Sequence, residues 1–527
     1  MKIHELHINN FKFFSVEDND SPLLRINGKN LLIYGENGSG KSTIYWAIYT
    51  LLESAFKKNE YDVVKYFKKN GEFGLVNIHA TKTQPPYIKI VLKDDDGNNP
   101  KEYLVNPNLH QIVANMSDST IRESGMASDF LNYRVIFRLH HIKHSKENNL
   151  FGWFEDEIFP YILIDSISRT ESVEDNYKTL KTGPKRVKDF NDIDKMIYPN
   201  PSMREHAQEA VRKDYVFYQA FVKTVDKWNK ALNKYLLIIT VRANEILKND
   251  FKQNFEIKLN YTPAKHNVSE NDLEWEDPII ELTVPIYEGR RNVIKRPHSF
   301  LNEAKWSAIG LAIRFAIIED WTNRPNTAEL KALVIDDMLL SLDMSNRDVV
   351  LDLLFRKYSN DYQLIFMTHD RFLYELAQYK ISALGHTNWM YLEMFEDENN
   401  GNPKPIILEG SNQVKKAWAL FHAKEFDLAA NTLRKAAEKL CKKYLTKQER
   451  LNTDYGMKNL HGMIEAFKNK GIINGLDAVK LTKLMEYKDR ILNPSSHYDI
   501  ETPLFKTELE KAIKTVEELA NDTGIDV

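Results

Sequence analysis

One short stretch constrains this chain more than all the rest. Gly35-Glu-Asn-Gly-Ser-Gly-Lys41-Ser42-Thr43 follows the apolar run Asn30-Leu-Leu-Ile-Tyr34 and opens the helix-forming run that continues to Leu52. It satisfies G-x-x-x-x-G-K-S/T in the setting that pattern needs, after a strand and at the start of a helix. Gly35, Gly38 and Gly40 let the backbone N–H groups of Asn37, Ser39 and their neighbours close around phosphate oxygens, and the helix N-terminus opening at Thr43 adds partial positive charge. Lys41 can reach the outer phosphates and Ser42 can offer its hydroxyl to Mg2+. The bland alternative, a chance glycine turn, does not account for strand, loop and helix in this order.

A second set of polar ends lies far downstream. Leu333-Val-Ile-Asp336-Asp337 reads as a buried strand ending in two carboxylates, followed by Ser341-Leu342-Asp343. Asp336 is expected to hold Mg2+, directly or through water, and Asp337 to orient an attacking water. A further apolar strand, Leu364-Ile-Phe-Met-Thr368, ends in His369, whose neutral imidazole can donate one hydrogen bond to a terminal phosphate. ATP and Mg2+ are the expected ligands.

Length and composition set the frame. At 527 residues the length suggests three or four domains. Its 72 basic and 75 acidic residues leave a formal charge of −3, which excludes a generally basic nucleic-acid coat but not a local basic patch. The single cysteine, Cys441, excludes an intramolecular disulfide framework and a cysteine-built zinc site. No apolar run is long enough to span a bilayer and the N-terminus has no signal core, so a cytoplasmic address without membrane contact is expected.

Between about 166 and 200 the chain is polar and irregular. A helical stripe follows: Val211, Tyr215, Tyr218, Val222, Val225, Leu232, Leu236, Ile239, Ala243 and Ile246 recur at steps of four and three, with Asn229 the one interruption. An unbroken helix over this stripe would measure about 54 Å. A helix packed inside a lobe and a protruding arm both satisfy the pattern. Strand patterns return at Phe255–Tyr261 and Ile279–Ile286, a helix is predicted over Leu301–Asp320, and Ala332–Ile335 reads as a buried strand. Beyond residue 411 the chain is almost wholly helical and lysine-rich, with Ala417–Lys443 read as one amphipathic helical stretch.

The order of these motifs resembles the ABC-type ATPase heads of the SMC, RecN and RecF group. Leu6-His-Ile8-Asn-Asn10-Phe11-Lys12-Phe13 looks like their first strand, Asp336-Asp337 and Ser341-Leu342-Asp343 like their Walker B and D-loop, and His369 like their switch histidine. The resemblance implies an α/β ABC-type P-loop ATPase head split by a helical insertion, plus an all-α C-terminal domain. The implied boundaries are an N-terminal lobe over 1–165, a helical insertion over 166–254, a C-terminal lobe over 255–410 and a helical domain over 411–527. In such heads ATP is sandwiched between two subunits, which implies a head-to-head dimer or higher oligomer. Asp343 and the signature residue Asn302, the latter acting in trans, would then meet nucleotide.

The candidate signature, Leu301-Asn302-Glu303-Ala304-Lys305, departs from the family's L-S-G-G-E/Q by carrying asparagine for serine and Ala304 for a glycine. Asp337 stands where most such heads carry glutamate. One methylene less draws the carboxylate back by about 1.5 Å, so slow hydrolysis is expected. His140, His141 and His144 fall in roughly the interval of the family's glutamine loop, as a metal-binding cluster or as an exposed loop.

The C-terminal region resembles HEPN-type helical domains. Arg490 and His497 match the R-x(4–6)-H of their ribonuclease members, in which the pair assists attack of an RNA 2′-hydroxyl; Ile491 departs from the polar residue often found there. The bland reading has Arg490 capping its helix and His497 satisfying the Asn-Pro turn. The basic run from Lys415 to Arg450 is either a solvated face or one that meets phosphates or an acidic partner.

A compact head with a short insertion and an added C-terminal module is also the design of several bacterial anti-phage ATPases. Septu-type and retron-associated proteins resemble it, as do the anticodon-nuclease ATPases of the PrrC and RloC kind. The resemblance therefore implies an oligomeric defence ATPase whose nucleotide state controls a nuclease effector supplied by a partner protein. Two other readings stand beside it: a RecF-like repair ATPase that binds DNA, and an ATP-gated HEPN ribonuclease using Arg490 and His497. The nucleic-acid partners these readings imply are DNA, tRNA or retron msDNA.

Overall fold

The computed structural model describes residues 1–15, 23–57, 59–69, 74–80, 85–132, 149–164, 166–168, 171–184, 209–268, 273–322, 328–342, 344–397, 403–409, 413–422, 424–452, 456–492, 506–525 and 527. They form two compact units. The first comprises Met1–Gly28, Ser42–Phe366 and Glu375–His386; the second comprises Lys29–Lys41, Met367–Tyr374 and Thr387–Val527. Strands and helices are numbered below in chain order.

The first unit carries an antiparallel sheet in which β1 (Lys2–Asn9) lies between β2 (Leu23–Arg25) and β4 (Tyr87–Lys93), with β5 (Lys101–Val105) beyond β4. Leu6 faces Ile90 and Ile8 faces Ile88 across the β1–β4 pair, all buried, so the apolar positions set the register. The parallel part is built from β6 (Asp129–Asn132) and β12 (Ala332–Asp336), paired from Leu333↔Asp129 to Asp336↔Asn132. Every residue of β12 is buried, the continuous apolar run of a strand covered on both faces. Gln363, at the start of β13 (Gln363–Thr368), serves as a backbone surrogate: its Oε1 accepts from Ile3 N at 2.7 Å and its Nε2 donates to Ile3 O at 3.0 Å.

A third sheet in this unit has β10 (Ile279–Tyr287) between β11 (Arg290–Ile294) and β7 (Phe255–Thr262), and a small hairpin pairs β8 (Lys265–Val268) with β9 (Leu273–Glu276). The helix predicted by the heptad stripe is present and longer than expected, running over 41 residues from Glu209 to Asn249 as α2. It packs on β7 and on α3 (Glu303–Thr322) as part of the unit's core, and Val225, Leu232, Leu236, Ile239, Ala243 and Ile246 are all buried. The packed alternative is therefore the one observed over these positions. Asn229 explains its own interruption of the stripe. Its Nδ2 donates to Ala264 O at 3.1 Å, and its Oδ1 accepts from Ala264 N at 3.0 Å and from Tyr261 Oη at 2.5 Å. One buried amide thus satisfies the chain as it leaves β7. Helix α3 is apolar on nearly every side, and its Glu319 is held by Arg242 of α2, by Lys357 and by Tyr358 Oη at 2.8 Å.

The second unit contains β3 (Asn30–Gly35) parallel to β14 (Trp389–Asp397), which pairs antiparallel with β15 (Lys404–Glu409). Its C-terminal region is helical: α5 (Gln413–His422), α6 (Phe426–Tyr444), α7 (Leu460–Ile473), α8 (Ala478–Tyr487) and α9 (Lys506–Thr523). They share a core that includes Leu433, Leu440, Phe467, Leu484 and Ile513. The single stretch expected over Ala417–Lys443 is two helices. Lys424, at φ 66°, ends α5: its N–H donates to Phe421 O at 3.1 Å and the next, Glu425 N, to Leu420 O at 2.9 Å. That is the left-handed helix stop usually given to glycine, here adopted by lysine, so no breaker marked it in the sequence. Cys441 is buried in this core, and burial pushes its thiol up to about 12. No helix among the described residues is long and apolar enough to cross a membrane.

Candidate nucleotide site

Strand β3 delivers the chain into the glycine loop, and β14 beside it leaves no room for a side chain there. A Cβ on Gly35 would stand 2.5 Å from Ser39 Oγ and 2.9 Å from the carbonyl oxygen of its register partner Met394. Gly38 and Gly40 take φ values of 93° and 94°, which side-chain-bearing residues rarely adopt, and a Cβ on Gly38 would meet Glu396 Oε2 at 2.8 Å. Glu36, Asn37 and Gly38 form an exposed crown above the buried Ser39. Lys41 is only 5% exposed, and its ammonium folds onto the loop, donating to Gly35 O at 2.6 Å and Glu36 O at 3.0 Å. Ser39 Oγ has no hydrogen-bond partner among the described residues. A tight backbone cradle, an interior ammonium and an unspent hydroxyl fit a phosphate group.

His369 lies in the same unit, half-buried in the turn after β13. Asp370 fixes that turn, its N–H donating to Thr368 Oγ1 and its carboxylate accepting from Leu373 N, each at 3.1 Å. The next residue, Arg371, begins α4 (Arg371–Ala383), and its guanidinium sits 4.9 Å from the ring centre of Tyr34, the residue immediately before Gly35. Arg371 also pairs at 3.0 Å with Glu393 of β14, a carboxylate only 1% exposed, which Lys416 of α5 approaches at 2.6 Å.

In the first unit, α1 (Lys41–Glu53) carries Ser42 exposed and Thr43 buried, with Thr43 Oγ1 accepting from Phe13 N at 3.4 Å. Asp336 ends β12 opposite Asn132, whose Nδ2 donates to Tyr45 Oη of α1 at 3.0 Å. Burial pushes the Tyr45 phenol well up, against the lowering by that bond, and the carboxylates of Asp129 and Asp336 add to the rise. The Asp336 carboxylate is thus within electrostatic reach of the second turn of α1, the helix whose first turn bears Ser42. Ser42 hydroxyl and Asp336 carboxylate are hard oxygen donors of the kind Mg2+ takes, one or two from protein alongside phosphate oxygens. Asp337 follows in the left-handed region at φ 50° and ψ 27°. An aspartate in that sparsely populated conformation is a feature typical of functional turns.

Asn302, the candidate signature residue, has a local role within this chain. It is exposed and N-caps α3, its Oδ1 accepting from Lys305 N at 3.0 Å. Arg490 is 61% exposed and ion-paired with Glu508 of α9 at 3.0 Å. Asp343, His140, His141, His144 and His497 lie outside the described residues.

One residue that the sequence reading left without a role stands beside α1. Lys12 adopts φ 49° on a loop pinned by Lys12 N to Leu75 O at 2.6 Å and by Asn77 Nδ2 to Lys12 O at 2.7 Å. Its ammonium lies 5.5 Å from the ring centre of Trp46 on α1. The signal was present in Asn10-Phe-Lys12, but the partners that hold the loop are more than sixty positions away.

Residues 5–261 match the family model described as an AAA domain. No curated protein matches the chain. Among solved structures the chain is similar to the Smc head domain with an extended coiled coil, bound to the C-terminal domain of ScpA, from Pyrococcus furiosus: 15% identity over 80% of this chain and 99% of that one, TM-score 0.41. It is similar too to the SMC head domain from Thermotoga maritima, at 14% identity over 78% and 100% with TM-score 0.32. The recombination mediator RecF with ATP, from the RecFOR pathway, matches at 11% identity over 77% and 97% with TM-score 0.41. The matched region, residues 5–261, is of mixed α/β content, and the C-terminal region is helical.

Proposed function

We propose that this protein is an ATP-binding, slowly hydrolysing switch of the SMC and RecF kind, which oligomerises head to head and controls a nuclease effector in anti-phage defence. The observation that carries the nucleotide reading is the loop itself: three glycines where a Cβ would collide or φ is positive, closing over a buried lysine. The backbone N–H groups from Gly35 to Gly40 would hold the phosphate oxygens, and Lys41 would exchange its two carbonyl acceptors for them. Ser39 Oγ and Thr43 would complete the cradle. Ser42 and Asp336 would hold Mg2+, which when bound neutralises charge on the outer phosphates. Asp337 would orient the attacking water and His369 would donate to the terminal phosphate. Asn302 and Asp343 would meet nucleotide across the dimer. The short Asp337 side chain supports slow turnover, and with it a role as a switch. The resemblance to compact defence ATPases supports a separate nuclease as the thing switched.

Titration calorimetry of the Lys41→Ala variant tests the site: nucleotide binding should vanish, and retained tight binding of ATP sinks the assignment. Asp337→Asn should bind ATP and rise in sedimentation mass with it; a mass unchanged by ATP sinks the head-to-head dimer. The purified chain should leave tRNA and DNA intact until a partner nuclease is added. RNA cleavage by the chain alone, lost in His497→Ala, would replace the effector reading with a self-contained ribonuclease.

A further inference from the structure

The basic run from Lys415 to Arg450 is ambiguous as sequence, and the fold sorts it. Lys415 pairs with Glu409 at 2.7 Å, Lys416 is spent on Glu393, and Arg434 donates to Leu492 O at 3.1 Å while sharing Glu438 at 3.3 Å. Lys435, Lys439, Lys442, Lys443 and Arg450 gather elsewhere, lining with Glu438 one surface groove of about 630 Å3. The lining thus sets five cations against a single carboxylate, Glu438, which Arg434 shares and Lys442 approaches at 3.8 Å.

This grouping follows from how α6 packs. Leu433, Ala436, Ala437, Leu440 and Cys441 are buried in the core of the C-terminal helices, which turns the lysines at 435, 439, 442 and 443 onto the opposite, outer side. Like charges at these spacings repel one another along a helix, so the arrangement is unfavourable for α6 itself. Arg450 is fixed beyond the helix end, its Nε and Nη2 donating to Leu445 O at 2.9 and 2.7 Å. The lysine row is about 12 Å long, enough to span three to four phosphates of one DNA strand at ~3.4 Å each along the axis.

The lining also says what kind of partner fits. Every residue of the groove is charged; no aromatic or aliphatic side chain belongs to it. A stable protein interface needs a desolvated apolar or aromatic centre, whereas backbone contact with nucleic acid needs cations alone. We infer that the outer face of α6, with Arg450, is a docking surface for a nucleic-acid phosphate backbone, read without regard to base sequence. This surface is independent of the glycine loop and is tested without nucleotide.

The test is fluorescence anisotropy of the full chain with a labelled single-stranded DNA, an RNA of the same sequence and a duplex, titrated at salt concentrations from about 50 to 200 mM. Affinity should fall with salt at a log–log slope of about −3 to −3.5 for the single strands and about −3.5 to −4.5 for the duplex, given four or five phosphate contacts. It should be the same for two unrelated sequences. Replacing Lys442 and Lys443 together by glutamine should flatten the slope by about 1.5, while Lys415→Gln, from the same basic run but outside the groove, should leave it unchanged. Absence of binding at the lowest salt, an unchanged slope in the double variant, or tighter binding to polyglutamate than to any nucleic acid overturns the inference. The wild-type slope and the polyglutamate competition need no variant, and far-UV circular dichroism checks that the double variant is folded.

Discussion

Asn229→Leu separates what the residue pattern says from what the packing says. By the heptad stripe alone, leucine at the one interrupted position completes the apolar face of α2 and should stabilise it. The structure requires the opposite sign. Asn229 is 8% exposed and Ala264 5%, and the asparagine amide bonds both the N–H and the C=O of Ala264. Leucine would gain about 1.5–3 kcal/mol from burial. It would strand two buried backbone groups at about 1–3 kcal/mol each. The Tyr261 hydroxyl would lose its acceptor as well, which adds to the cost. Taking the middle of each range, the substitution costs about 2 kcal/mol net, since burial offsets only half of the roughly 4 kcal/mol lost. With a urea slope of about 3 kcal/mol per molar, the unfolding midpoint of this unit should drop by about 0.7 M. Amide exchange at Ala264 should accelerate at the same time, because that N–H loses its acceptor. A midpoint equal to or above wild type would show that stripe periodicity, not the amide's bonds to the chain leaving β7, governs this position.

Two further outcomes follow from the same structure. Gly35→Ala should fold, as judged by circular dichroism, but bind ATP about tenfold or more weakly, because about 1–3 kcal/mol of overpacking against the Met394 carbonyl falls on the loop. Gly152→Ala, where an added Cβ meets nothing within 4 Å, should keep full affinity and raise stability by about 0.4–1 kcal/mol; equal affinity in both variants refutes the steric account. Burial alone would raise the Glu319 carboxyl, but bonds from Arg242, Lys357 and Tyr358 win and hold it below its usual value of 4.5. The depressed value means its stabilisation is complete above about pH 4.5 and fades as pH falls further, so wild type should outlast Glu319→Gln in urea near neutrality and lose that advantage in acid. An advantage independent of pH would contradict the ion-pair reading.

What could be read from the sequence were the elements whose signal is local. The strand before Gly35 and the helix after it are dictated by a loop that cannot work in another setting. Strand β12 announced itself as an apolar run ending in carboxylates, and β7 by strict alternation through Phe255, Ile257 and Leu259. The rest depended on partners distant in the chain. Nothing near Lys424 marks a helix stop, because lysine carries no breaker signal and only the bonds to Leu420 and Phe421 reveal the turn. Gln363 resembles any polar strand residue until its amide is seen replacing backbone on β1. The lysines of α6 could not be separated from Lys415 and Lys416 by composition, since the difference lies in which of them the fold gathers along one groove. Periodicity reports the face a residue occupies; it carries no record of what waits on that face.

Strand β14 shows how much function can rest on such unrecorded contacts. Within a few residues it meets the glycine loop twice and the residue before it once. Glu393 lies in register with Tyr34, Met394 closes over Gly35, and Glu396 stands against Gly38. Glu393 is buried with two cations on it, Arg371 from the helix that follows His369 and Lys416 from α5. A buried carboxylate is costly unless both its oxygens are matched, so displacement of either cation exposes the full penalty of the charge left behind. Arg371 is also the residue stacked on Tyr34 at the mouth of the loop. Tyr34 before the glycine loop, the helix after His369 and the first C-terminal helix are thus held to one acidic residue, a set of contacts that no local pattern in the sequence records.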